Sequence, residues 1–239
     1  MIFLFFGDKM KKIFIYCLTL LGLFVIYKQF DNHKVNYVSI GDGITKGISS
    51  KEMESYGYNN FIYEYLEKKH WIGTFNNSFS NNTISALLKD VKNNRTLRIE
   101  KNEFYLKKVL RESDFLVISV GQDELSNNYD KYDMSKNKAL FNKMYNDIEE
   151  LIKEIRKYAK GKIIFLGYYN PTNYYDSKVD EFFYHIDTIL NKLLLNYQVA
   201  YLDLYETIKS GNYKENDNTY NLNIHGFRKV ANLIEFYLE

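Results

Sequence analysis

Short apolar runs alternate with longer amphipathic stretches along the chain. Val35 to Ile40 is an apolar run closed by Gly41, and residues 114–120 read Asp-Phe-Leu-Val-Ile-Ser-Val. Lys162 to Leu166 and Val199 to Leu202 have the same character. Runs of this length, bounded by glycine or polar residues, predict strands buried on both faces. Ile72 to Phe79 predicts a short strand and loop.

Between these runs the period changes to that of a helix. Leu140 to Tyr158 is the strongest case, with Phe141, Met144, Tyr145, Ile148, Leu151, Ile152, Ile155 and Tyr158 on one face. Helices are also predicted over Met53 to Lys69, Thr83 to Val91, Phe104 to Leu110, Val179 to Leu195 and Gly226 to Leu238. Strands alternating with helices imply an α/β domain with a parallel sheet between two helical layers. In such a fold ligands sit beyond the carboxyl ends of the strands. The loops to read for chemistry therefore follow Ile40, Phe79, Val120 and Leu166, together with the segment before Gly226.

The first thirty residues have a different pattern. Met10-Lys11-Lys12 precedes Ile13 to Tyr27, a run without a charge, and Lys28 follows. This is the layout of a basic segment and an apolar core in a signal sequence. Gln29, Phe30 and Asp31 offer no small-x-small cleavage site. Residues 1–30 are thus predicted to be an uncleaved signal anchor, and residues 31–239 one domain joined to it by a polar linker over 31–36. The run is short for a span of about 20 residues, although flanking lysines can snorkel. The positive-inside rule places Lys11 and Lys12 in the cytoplasm and the domain outside. A buried core helix is the competing structural expectation. Met10 is the more natural start than Met1, because the basic segment then begins the chain. Peptide mapping of the native N-terminus distinguishes the two.

Composition narrows the function classes. Hydrophobic residues make up 46% and charged residues 26%, which is the profile of a folded chain. The 32 basic and 30 acidic residues leave a net charge of +2, with no basic arm, so no nucleic-acid partner is expected. One cysteine, Cys17, excludes an intrachain disulfide, and Phe14-Ile15-Tyr16 before it lacks the small residues of a lipoprotein site. The four histidines are scattered without metal-ligand spacing, so neither metal nor cofactor is expected. There are 23 tyrosines. Tyr168, Tyr169, Tyr174 and Tyr175, flanking Pro171, are candidates for stacking on sugar, against a general bias in composition.

Four segments then stand in order. They are Gly41-Asp42-Gly43-Ile44-Thr45, Asn76 to Thr83, Gly121-Gln122-Asp123-Glu124 and Asp217 to Phe227. In that order and spacing the chain resembles the SGNH, or GDSL-type, hydrolases over about residues 35–238. Ile163 to Pro171 is similar to the fourth-strand segment of their small membrane-anchored members. The resemblance implies a flavodoxin-like three-layer sandwich with a five-stranded parallel sheet. It also implies ester hydrolysis, in a family of esterases, lipase-like acylhydrolases and acetyl-esterases.

The residues that perform the family's chemistry are replaced. The nucleophilic serine falls on Gly43, and the glycine whose backbone N–H binds the oxyanion falls on Asn81. The asparagine that donates its amide to the oxyanion falls on Asp123. The histidine base falls on Asn221 and its aspartate partner on Asn218. Glycine cannot form an acyl-enzyme, and asparagine cannot serve as a base near neutral pH. An ionised Asp123 accepts hydrogen bonds and would oppose a developing oxyanion by about 4 kcal/mol at ~4 Å and an effective dielectric of ~20.

The leading expectation is therefore a degenerate member that binds or scaffolds at the cell envelope. Its expected partners are the membrane and an envelope glycan, lipid or cationic ligand. The alternative is an active esterase using Thr45, Glu124, Asp217 or His225 in an unusual arrangement. Asp42, Asp123 and Glu124, with Asp217, would also gather carboxylates that suit a cation or amine.

Overall fold

The computed structural model describes residues 8–29, 35–47, 56–69, 79–80, 83–99, 102–215 and 220–238. In chain order the elements are α1 (Asp8–Gln29), β1 (Tyr37–Gly41), α2 (Gly43–Lys46), α3 (Tyr58–Lys68), β2 (Phe79–Ser80) and α4 (Ile84–Lys92). Next come β3 (Thr96–Ile99), β4 (Asn102–Tyr105), α5 (Leu106–Glu112), β5 (Phe115–Ser119), α6 (Gln122–Asn128) and α7 (Met134–Arg156). The chain closes with β6 (Lys162–Leu166), α8 (Ser177–Leu195), β7 (Val199–Leu202), α9 (Tyr205–Lys209) and α10 (Ile224–Leu238).

β1, β5, β6 and β7 form a parallel sheet, in registers that pair Tyr37 with Phe115, Phe115 with Lys162, and Ile163 with Val199. The two-residue β2 pairs parallel with β1 through Ile40 and Phe79, so the order is β2-β1-β5-β6-β7. The chain reverses its direction of travel across the sheet between β1 and β5. That reversal leaves a crevice at the carboxyl ends of these two strands.

The period-2 alternation of the strands divides the core. Val38, Ile40, Leu116, Ile118, Ile163 and Phe165 face a cluster that includes Leu87, Leu110, Ile148 and Leu190 from α4, α5, α7 and α8. Tyr37, Val117, Ile164 and Leu166 face the other way, onto Ile44, Ile62, Val230 and Ile234 from α2, α3 and α10. Each such side chain contributes about 1.5–3 kcal/mol on burial. Capping sets where the helices start. Asp133 accepts from the N–H groups of Ser135 and Lys136 at 3.0 and 3.1 Å, which begins α7 six residues before the predicted Leu140. Asp176 does the same for α8 through Val179 N–H at 2.9 Å.

Two expectations change. The predicted helix from Phe104 is a helix only from Leu106, because Phe104 and Tyr105 belong to β4, which pairs antiparallel with β3. The apolar period there is carried by Leu106, Val109 and Leu110, which are the buried residues of α5. At the N-terminus, α1 exposes Ile13, Phe14, Ile15, Tyr16, Leu18, Leu20 and Leu21. It is therefore not the buried core helix. Among the described residues no helix is long and apolar enough to cross a membrane. Residues 1–7 and 31–34, which bear on the start of the chain and on the linker, lie outside the described residues.

Candidate functional site

β1 and β5 approach closely where the crevice opens. A Cβ on Gly41 would lie 1.7 Å from the Ser119 carbonyl oxygen, and Gly41 has φ +157°, so only glycine fits. This approach lets the Asp42 N–H donate to Ser119 O at 2.7 Å. Gly121, two residues past β5, plays the matching part. Its φ is +100°, and a Cβ there would meet the Tyr168 hydroxyl at 2.5 Å.

Beyond these glycines two carboxyl groups interlock. Asp42 is fully buried. Its Oδ1 accepts from Ile44 N–H at 3.4 Å and its Oδ2 from Asp123 N–H at 3.1 Å. Asp123 returns the contact, since its Oδ2 accepts from Gly43 N–H at 3.0 Å. The Tyr220 hydroxyl also acts on the Asp123 carboxylate, favouring its ionised form. A Cβ on Gly43 would stand 3.2 Å from each Asp123 carboxylate oxygen.

Burial raises both acids. Asp42 is held well above the usual carboxylate range, first by desolvation and then by the negative charge of Asp123. The N–H groups of Asp123, Ile44 and Gln122 oppose this without cancelling it. Asp123 is raised by burial, against the pull of Gly43 N–H, the Tyr220 hydroxyl and the positive charge of Lys46. Burial thus favours the protonated form of both acids, and at Asp42 the neighbouring Asp123 charge adds to it.

Hydrogen bonds between loops hold this crevice. Gln122 donates through Nε2 to Tyr169 O and Ser126 Oγ, both at 3.0 Å, and accepts from Tyr169 N–H at 3.1 Å. Tyr168 donates to Val120 O at 2.9 Å and Tyr169 to Tyr220 O at 2.8 Å. Lys214 is buried and donates to Asn170 O at 3.2 Å and to Thr172 O, tying the loop after β6 to the chain that leads to Tyr220. Burial lowers its pKa to about 8.

Solved structures share this architecture. A lipase, Lip_vut3, from a goat rumen metagenome superposes with a TM-score of 0.67 at 16% identity, covering 85% of this chain and 97% of its own. The fold resembles that of esterases and lipases. Axe2, an acetylxylan esterase from Geobacillus stearothermophilus, gives a TM-score of 0.61 at 14% identity, over 85% of this chain and 93% of its own. Axe2 has been solved as catalytic mutants in which a serine, an aspartate or a histidine is replaced by alanine. LAE5, an α/β hydrolase from a Lake Arreo metagenome, gives 0.58 at 16% identity over 84% of this chain and 94% of its own. No family profile and no curated protein matches the sequence.

On this esterase-like scaffold the candidate residues fall into three groups. Asp42, Gly43 and Asp123 meet at the crevice, as their places after β1 and β5 led us to expect. Thr45, Glu124 and His225 do not join them. Thr45 is buried within α2, where its hydroxyl donates to Ser119 O at 3.2 Å and its carbonyl accepts from Asn59 Nδ2 at 2.7 Å. Glu124 turns away to accept from Ile84 N–H at 3.3 Å at the start of α4. His225 is exposed in the first turn of α10. Asn221 is half-buried and its carbonyl accepts from Glu215 N–H at 3.0 Å. Asn81, Asp217 and Asn218 lie outside the described residues.

The tyrosines of the loop after β6 also separate. Tyr168 and Tyr169 are fully buried, so they are unavailable for stacking on sugar. Their rings pack in the core while their hydroxyls reach backbone carbonyls. Tyr174 is exposed and Tyr175 half-buried, the latter under the ammonium groups of Lys209 and Lys214. Gln122 and Tyr220 are the site residues that the sequence reading passed over, although both stand inside segments it singled out. Among the described residues no group of three or more His, Cys, Asp or Glu side chains is placed to hold a metal ion.

Proposed function

We propose that this chain is an SGNH/GDSL-type hydrolase relative that has lost ester hydrolysis and serves as a ligand-binding or scaffold module at the cell envelope. One observation carries the reading. Where a serine hydrolase needs a nucleophile, Gly43 has no side chain, and the Asp123 carboxylate stands against it with its Oδ2 on the Gly43 N–H. Without a nucleophile no acyl-enzyme forms. Loss of the nucleophile or its base costs on the order of a millionfold in a well-studied serine enzyme. Of the described alternatives, Thr45 and Glu124 are engaged elsewhere, and His225 is exposed at the start of α10.

The carboxyl pair favours ligands that bring hydrogen-bond donors or positive charge, such as the hydroxyls of an envelope glycan, an amine or a lipid head group. The apolar side chains that α1 exposes support attachment to a membrane, with the domain on the outer side. Carbonate-resistant pelleting of the full chain and loss of the domain to external protease on intact cells test that attachment. Release into the soluble fraction by carbonate refutes it.

Activity is tested on the full chain with a short acyl ester. No turnover is expected from the native protein. Gly43→Ser, Asn81→Gly, Asp123→Asn, Asn218→Asp and Asn221→His together are expected to restore measurable turnover. Native turnover that disappears on mutating a residue of the crevice would establish the opposite reading, an active esterase with an atypical site.

A further inference from the structure

The sheet is parallel, so one end of it gathers the starts of the strands and the crevice lies at the other. Helices finish where the strands start. α5 leads into β5, α7 into β6 and α8 into β7. α10 ends there too, beside Lys162, whose Nζ donates to Tyr237 O. The chain from α1 enters at the same end. Gln29 and Val35 are six residues apart, so at most about 22 Å separates the end of α1 from the domain.

This end is apolar and basic at once. Leu195 closes α8 at 73% exposure, and Phe236 in the last turn of α10 is 78% exposed. Between the ends of α7 and α8 lies a cavity of about 330 Å³, whose charged lining is Arg156 and Lys160 with no acid. The Arg156 guanidinium donates to the carbonyls of Tyr197, Ala159 and Gly161 at 2.8, 3.4 and 3.1 Å, and to that of Gln198. It covers the carbonyl ends that would repel an anion, and among the described residues no carboxylate takes up its charge. Lys160, Lys162 and Lys192 are exposed. Glu154 and Glu112, acids of the same end, are matched by Lys157 and Lys108, and Asp114 holds Asn36 N–H.

We propose that this end of the domain rests on an anionic phospholipid surface, with Leu195 and Phe236 entering the interface and Lys160 and Lys192 facing the head groups. The proposal builds on the attachment of α1 to a membrane. It sets the crevice on the side away from the bilayer, open to a glycan or amine rather than to the head groups beneath.

The test uses the full chain with Cys17→Ser, carrying an environment-sensitive fluorophore at Leu195→Cys or, at the crevice end, at Tyr132→Cys. Vesicles are phosphatidylcholine alone or with about a third phosphatidylglycerol. On the anionic vesicles the label at 195 should shift to shorter wavelength and be quenched by a lipid-borne nitroxide, while the label at 132 stays in water. Lys160→Glu with Lys192→Glu should lower the ratio of inserted to free label by about tenfold or more. A label at 195 as wet as that at 132 overturns the proposal, and so does insertion that the charge reversal leaves unchanged. Flotation separates this result from the reading of α1. Flotation with phosphatidylcholine alone shows α1 attached, whatever the label reports. Flotation with anionic vesicles only removes α1 as the anchor and supports the basic end acting by itself. Flotation with neither overturns both.

Discussion

The molecule buries carboxyl groups in two places and treats them differently. At the crevice, Asp42 and Asp123 receive backbone N–H donors from Ile44, Asp123 and Gly43, and a hydroxyl from Tyr220. In α8, Asp187 is also buried, but among the described residues its Oδ1 accepts only from the Tyr201 hydroxyl and its Oδ2 meets no donor. Burial pushes Asp187 up to about 8, and the Asp203 and Glu206 carboxyl groups push in the same direction against the Tyr201 hydroxyl. A proton on Asp187 supplies the missing donor toward Asp203. In the first place backbone donors work against the rise that burial causes, and in the second a single hydroxyl does so. Desolvation is common to both, so the donors make the difference.

The largest effect is expected at Asp187. Its pKa is raised in the folded protein, so the fold binds a proton that the unfolded chain has released. The stability this confers is full below about pH 4, the unfolded value, and is lost as pH rises to about 8. Asp187→Asn keeps an acceptor for Tyr201 and a donor toward Asp203 at every pH. By urea denaturation it should match the native protein near pH 4 and exceed it by up to about 5 kcal/mol near pH 9. A difference that does not change with pH would show that Asp187 is not a neutral acid in the fold.

The same contrast shows what was legible in the sequence. β6 and β7 were predicted with the bounds observed, because their apolar runs are bracketed by polar residues or glycine. Asp42, Gly43 and Asp123 could be placed together because each stands within four residues of a strand end, and strand ends are fixed by hydrophobic pattern. The start of α7 was missed because Asp133 acts through a cap and adds nothing to the apolar period. Tyr168 and Tyr169, candidates for stacking beside the compositional explanation, are buried, because a tyrosine ring is buried readily once its hydroxyl finds a carbonyl. Tyr220 and Gln122 act across loops that only the folded sheet brings together, and no local pattern reports such a contact.

A middle-sized effect is expected at Asp42, with a size that changes with pH. Its carboxyl group accepts from two backbone N–H groups, Ile44 and Asp123. An asparagine can satisfy one and turns its amide hydrogens against the other, which costs about 1–3 kcal/mol. Asp42 is also raised by burial and by Asp123, so the native protein loses stability as pH rises from the ordinary aspartate range toward the higher folded value. An uncharged amide in its place would be free of that loss. Asp42→Asn should therefore be less stable than the native chain at pH 5 and narrow the gap by pH 9. A constant gap would mean that Asp42 is ionised throughout, and the crevice would then carry two charges.

The smallest effect is expected from Tyr220→Phe, and it bears most directly on the crevice. The hydroxyl is one of two donors that lower the Asp123 pKa against burial, the other being Gly43 N–H. Removing it leaves the ring in place and takes away one influence on the ionised form, with little change in stability where water replaces the hydroxyl. The sign is fixed by the direction of the contact. A donor to the ionised form stabilises it, so its loss must raise the Asp123 pKa further. Carboxyl carbon shifts followed by NMR through an acid titration should show Asp123 titrating at higher pH in Tyr220→Phe, with Asp187 unmoved. An unchanged Asp123 midpoint would show that the Tyr220 hydroxyl does not hold the carboxylate. Gly43 N–H would then be left as its sole donor among the described residues, and the far side of the crevice would no longer be tied to the acid that occupies it.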